Sequence, residues 1–132
     1  MQKVILVVEG EANILDPLEF LLERQGLKVE SVTDGAAACR RLEEVAPDLI
    51  LLDVMIPNID GFEVLRTVRA QYTSRELPVV MLSARGQEAD RLKAEGLGAN
   101  DFITKPFSNE DLVRRIRLQL DGAGAPTPPR PD

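Results

Sequence analysis

Apolar residues come in short continuous blocks that alternate with helically spaced ones along most of the chain. "KVILVV" (Lys3 to Val8), "DLILLD" (Asp48 to Asp53) and "PVVMLS" (Pro78 to Ser83) are apolar enough to be strands buried on both faces. "DFITK" (Asp101 to Lys105) is a shorter strand. "KVESVT" (Lys28 to Thr33) alternates and carries fewer apolar residues, which predicts a strand nearer the sheet edge. Between them, Ile14, Leu15, Leu18, Leu21 and Leu22 predict a helix from Ala12 to Gln25, closed by Gly26 and bent by Pro17. Further helices are expected over Ala36 to Val45, Gly61 to Ala70 and Gln87 to Glu95. A last helix opens at "SNED", where Ser108 is a cap and Asp111 the third helical position, and it carries Leu112, Val113, Ile116 and Leu120.

Five strands alternating with five helices predict an α/β domain with a mostly parallel sheet covered on both faces. Right-handed crossovers then bring every strand's carboxyl end to one edge, where ligands of such sheets bind. The domain is expected to span 1–120. The remainder, 121–132, "DGAGAPTPPRPD", is Gly- and Pro-rich and is expected to be a disordered tail or linker stub.

Reading off the residue that ends each apolar block gives a chemical set. The first strand ends in Glu9, the third in Asp53, the fourth in Ser83 and the fifth in Lys105, followed by Pro106. A carboxylate can attack phosphorus, a lysine and a hydroxyl can hold phosphoryl oxygens, and a second acid can help bind a divalent cation. Composition narrows the setting. With 22 acids against 16 bases the net charge is -6, which argues against binding nucleic acid backbone. No apolar run is long enough to span a membrane. The one cysteine, Cys39, reads as a helix packing residue and suits a reducing cytoplasm. There is no histidine in these 132 residues, so any phosphoryl group must be brought by another molecule.

The segments "ILVVEGEANIL", "LILLDVMIPNIDGFEVL", "PVVMLSARG" and "GANDFITKPFSNEDL" together resemble the receiver domain of two-component response regulators. The resemblance implies a flavodoxin-like (βα)5 fold with strand order 2-1-3-4-5. It implies a bacterial phosphoprotein in a phosphorelay that takes phosphate from a histidine kinase or phosphotransfer protein. Asp53 would be the phosphoacceptor, Ser83 the switch hydroxyl, Lys105 the phosphate-binding lysine and Phe102 the switch aromatic. Mg²⁺ would be held by Glu9, Asp53 and the backbone carbonyl of Met55. Arg91, Asp101, Asp111 and Arg115 resemble the charged set through which many receivers form homodimers by the fourth helix, fifth strand and fifth helix. Arg85 stands where the family often tunes phosphate lifetime.

The chain departs from the family's pattern in one place. Receivers usually carry two adjacent acids after the first strand, whereas here Glu9 is followed by Gly10. The missing acid is expected to weaken Mg²⁺ binding, with Glu11 beginning the helix and pointing elsewhere. The alternative function is therefore a degenerate receiver that binds partners without being phosphorylated. An aspartyl-phosphate phosphohydrolase would need an aspartate at Met55, and a flavodoxin-like carrier would need a hydroxyl-rich loop where "EGEAN" stands. The protein is thus expected not to be an enzyme beyond its own phosphorylation and dephosphorylation.

Overall fold

In the computed structural model, residues 2–122 are described. Strands β1 (Val4–Val8), β2 (Lys28–Val32), β3 (Leu49–Asp53), β4 (Val79–Ser83) and β5 (Asp101–Thr104) alternate with helices α1 (Ala12–Arg24), α2 (Gly35–Glu44), α3 (Gly61–Gln71), α4 (Glu88–Gly96) and α5 (Asn109–Asp121). All pairings are parallel, in the order β2-β1-β3-β4-β5. The half-polar strand β2 is at the edge and β3, buried along its whole length, is in the middle, as their apolar content predicts. The helix expected to open at Ser108 does so, with the Ser108 hydroxyl accepting from the Asp111 amide at 3.0 Å. Pro17 lies inside α1, which continues through it. The tail expected to be disordered lies, from residue 123 onward, outside the described residues.

Period-two alternation divides the core into two layers. Leu6, Val8, Ile50, Leu52, Val79 and Met81 face α2, α3 and α4, where Leu42, Phe62, Leu65 and Ala94 cover them; Cys39 packs against this layer. Ile5, Val7, Leu49, Leu51, Val80 and Leu82 face α1 and α5, under Leu18, Leu22, Leu112 and Ile116. Burial on both faces explains why these strands lack polar alternation.

Two features hold the site's scaffold. The α3 N-terminus lies so close to the end of β3 that a Cβ on Gly61 would come within 2.3 Å of the Asp53 carbonyl oxygen. Only glycine allows that approach. The β3–α3 loop is also tied to α2, whose first amides at Gly35 and Ala36 donate to the carbonyls of Pro57 and Asn58 at 3.0 Å each. This satisfies helix-end donors that would otherwise lack partners. Farther away, Arg69 donates to the carbonyls of Gly98 and Leu77 and to Asn100 Oδ1, each at 2.8 Å. Asn100 Oδ1 also accepts from the Val79 amide at 2.9 Å, fastening the start of β4 to the turn before β5. Burial lowers Arg69 from its usual value to about 10, so the guanidinium stays protonated at neutral pH.

Candidate functional site

Parallel register builds the site. Val8 pairs with Leu52 and Asp53 with Leu82, so the residues that end β1, β3 and β4 emerge side by side. Backbone bonds continue the ladder past the strands: Glu9 donates to Val32, Val54 to Leu82 and Lys105 to Ser83, at 3.1, 2.9 and 2.7 Å. The functional side chains therefore leave a rigid edge rather than a free loop. The Lys105–Pro106 peptide bond is cis.

At this edge the Lys105 ammonium donates to Glu9 Oε1 at 2.8 Å and to Asp53 Oδ2 at 2.9 Å. The other two carboxylate oxygens accept from backbone amides: Glu9 Oε2 from Glu11 at 3.2 Å, and Asp53 Oδ1 from Met55 at 3.1 Å. All four oxygens thus have a partner from the chain itself. Glu9 is fully buried, Asp53 is 3% exposed and the Lys105 side chain 10%. Burial pushes the Glu9 carboxyl up from its usual value. The Lys105 ammonium opposes that rise and the Asp53 carboxylate adds to it. Desolvation acts to lower Lys105, but its bonds to Glu9 and Asp53 outweigh it and the ammonium is raised.

The remaining expected residues take different positions. Ser83 is buried at the edge, but its hydroxyl donates to the Arg85 carbonyl and accepts from the Arg85 amide, at 2.9 and 3.0 Å. It closes a local turn and makes no bond to the acid–lysine cluster. Phe102 is buried in the layer that holds Met81 and Ala94. Gly10 is exposed, and a Cβ there would meet only ordinary contacts, with the Thr33 carbonyl at 3.5 Å and Pro57 Cδ at 3.6 Å. Glu11 is exposed and precedes α1, but it also lines an open cleft of about 530 Å³ with Ile14, Ala84, Lys105, Pro106 and Phe107. A second cleft of about 490 Å³ is lined by Met55, Phe62, Arg85 and Lys93 among others.

For a divalent cation, Glu9 and Asp53 would supply two hard oxygen ligands, and Mg²⁺ ordinarily keeps several waters besides one or two carboxylates. Such a donor set would suit the ion, with waters completing its shell. Among the described residues, no group of three or more acidic, cysteine or histidine side chains is arranged to hold a metal.

A sequence model of the response regulator receiver domain matches residues 5–117. The chain belongs to the response regulator receiver family. It is 40% identical over 120 residues to the sensory transduction protein RegX3 of Mycobacterium bovis, covering 91% of this chain and 52% of that protein. The receiver chain therefore spans about half the length of the curated relatives it matches. Among solved structures it resembles the magnesium-bound receiver domain of the sensor histidine kinase PA1611 from Pseudomonas aeruginosa, with 32% identity and a TM-score of 0.83 over 92% of this chain and 99% of that one. It also resembles the BeF3-activated receiver domain of RstA from Klebsiella pneumoniae, with 28% identity and a TM-score of 0.84 over 89% and 98%. Fold class and strand order in this receiver are those its motifs imply.

Of the four strand-end residues that the sequence brings to this edge, Glu9, Asp53 and Lys105 are joined by hydrogen bonds, and Ser83 bonds to Arg85 instead. Of the charged set, Arg115 pairs with Asp101 at 3.0 Å and Asp111 at 3.4 Å, while Arg91 pairs with Glu88 and Glu95 on its own helix. The Arg69–Asn100 fastening was not foreseen. Its one sequence signal is the asparagine of "GAND", two positions after Gly98, whose φ in the structure is +97°. No helix among the described residues is long and apolar enough to cross a membrane.

Proposed function

We propose that this receiver accepts a phosphoryl group on Asp53. The observation that carries the reading is the buried cluster in which one ammonium bridges Asp53 and Glu9. An Asp53 oxygen attacks phosphorus, the bond to the donor's leaving nitrogen breaks, and an acyl phosphate forms. A water then attacks phosphorus, releasing inorganic phosphate and restoring the carboxylate. Lys105 holds phosphoryl oxygens, and Ser83 joins it once its hydroxyl leaves the Arg85 backbone. Phe102 is the switch aromatic. Glu9, Asp53 and the Met55 carbonyl would hold Mg²⁺, which when bound neutralises charge on the phosphoryl oxygens.

These 132 residues contain no histidine, so the phosphoryl group comes from another molecule, and membership of the receiver family makes that donor a histidine kinase or phosphotransfer protein. The working unit is 1–120, acting in the cytoplasm with no chemistry beyond its own phosphate, and its net charge of -6 disfavours direct nucleic acid binding. Homodimerisation through α4, β5 and α5 would use Arg91, Asp101, Asp111 and Arg115. Incubation with acetyl phosphate and excess Mg²⁺, followed by intact-mass or Phos-tag analysis, tests the reading. A single acid-stable, base-labile adduct lost in Asp53→Asn is expected; no Asp53-dependent adduct refutes it and leaves a phosphorylation-independent interaction module.

A further inference from the structure

The cleft of about 490 Å³ joins the loop after β3 to α4, and neither Glu9 nor Lys105 is among the described residues that line it. Val54, Ile56 and Phe62 supply its buried apolar lining, each no more than 7% exposed, and Met55 adds a thioether at 58% exposure. Two cations share the same space. Lys93 of α4 holds its ammonium 4.4 Å from the centre of the Phe62 ring. Arg85, in the turn before α4, is half exposed and meets Asp90 at 3.5 Å, yet the buried Asp90 Oδ2 accepts no hydrogen bond. The guanidinium therefore keeps donors for a second acceptor. The cleft's own acid, Asp60, caps α3 by accepting the Glu63 amide at 3.0 Å, while Glu88 and Glu95 pair with Arg91. Two cations against one carboxylate locally reverse the sign of a chain whose net charge is -6.

We propose that this cleft docks a partner's peptide segment in which an apolar side chain lies next to carboxylates. The apolar side chain covers Met55 and Phe62, and the carboxylates take Lys93 and Arg85. A flexible thioether adapts to whichever apolar group arrives, and a cation already held over a ring loses little freedom on meeting an acid. Charge complementarity selects the segment and apolar contact holds it. Because the cleft is lined by the loop after Asp53 on one side and α4 on the other, the bound segment ties the two together.

The test is a titration of the full, unphosphorylated chain with the probe acetyl-Leu-Asp-Asp-amide, read by nuclear magnetic resonance of the Met55 methyl and the Lys93 side-chain nitrogen. Both signals should move along one saturable curve. The controls acetyl-Leu-Lys-Lys-amide and acetyl-Gly-Asp-Asp-amide should bind about fivefold more weakly or worse. Lys93→Gln and Arg85→Gln, both at exposed positions, should each weaken the Leu-Asp-Asp probe about fivefold at Met55, and Lys93→Arg should keep its affinity. No saturable shift, equal binding of all three peptides, or an affinity unchanged in both glutamine variants overturns the proposal. Signals that move with protein concentration before any peptide is added would assign the cleft to a second copy of the chain, and overturn it as well.

Discussion

Replacing Gly10 with aspartate separates charge from backbone in this pocket. Position 10 is exposed and has room for a Cβ, so steric cost is small. The new carboxylate adds two like-charge pairs, with Glu9 and Asp53, and one attraction to Lys105. At ~5 Å and an effective dielectric near ~20 each pair is worth about 3 kcal/mol, leaving a net penalty of about 3 kcal/mol. Solvent at position 10 screens much of this, reducing the expected loss to about 1–2 kcal/mol. Loss of glycine from the unfolded chain returns about 0.4–1 kcal/mol, which would hide part of the effect. Gly10→Asn carries the same backbone change without charge, so the difference between the two variants isolates the electrostatics. Urea unfolding followed by circular dichroism without divalent ions should put Gly10→Asp below Gly10→Asn by about 1–2 kcal/mol, with equal m-values. Adding Mg²⁺ to about 100 times its dissociation constant should return about 2.7 kcal/mol to the aspartate variant. Coincident midpoints with and without Mg²⁺ would refute the account of Gly10 as a missing ligand.

Three further outcomes follow from other contacts. Gly61→Ala places a Cβ 2.3 Å from the Asp53 carbonyl and 2.8 Å from Val54 Cα, both backbone atoms, so it should destabilise by about 1–3 kcal/mol or more in urea; a loss below ~0.5 kcal/mol would show that the approach is loose. Asn100→Ala orphans the amide of fully buried Val79 and should cost about 1–3 kcal/mol, with Asn100→Asp recovering part because it keeps the acceptor; equal losses in both would assign the effect to the bond from Asn100 to the Ser74 carbonyl. The pH dependence of Lys105 has a definite sign. Its folded value is raised, so its contribution is fully present below the unfolded value of 10.5 and is lost as pH rises through the folded one. The stability gap between wild type and Lys105→Met should narrow on that alkaline side, and a constant gap would contradict the raised ammonium.

The elements were legible because burial on both faces leaves so clear a trace. Five-residue blocks such as "VILVV" and "LILLD" carry no competing helical spacing, and Asp34, Asp60 and Ser108 each cap a helix through an amide three residues on. The acid–lysine cluster was legible for a different reason. A parallel sheet fixes where strand ends go, so Glu9, Asp53 and Lys105 meet whatever lies between them in sequence. What pattern could not give were contacts decided by rotamer and turn. Ser83 sits at the expected edge, but a bond to the residue two positions on captures its hydroxyl. Ile59 adopts φ +87° beside Asn58 at +54°, and a β-branched residue gives no turn signal for that backbone. Arg69 reaches across 31 residues to Asn100, a contact that depends on register rather than on any local spacing.

The charged face shows how the same limit applies to assembly. Asp111, Arg115 and Leu118 fall on one stripe of α5, at positions i, i+4 and i+7. Arg115 already spans from Asp111 to Asp101, whose side chain is only 10% exposed. A second copy approaching this face would meet charges that are largely matched within the chain, so exchanging partners across an interface would trade one ion pair for another at little net gain. These helices also expose apolar side chains: Leu118 is 60% exposed on α5 and Leu92 57% exposed on α4. If the proposed association through α4, β5 and α5 occurs, most of its free energy would come from covering such leucines, and Asp101, Asp111 and Arg115 would serve to set the orientation.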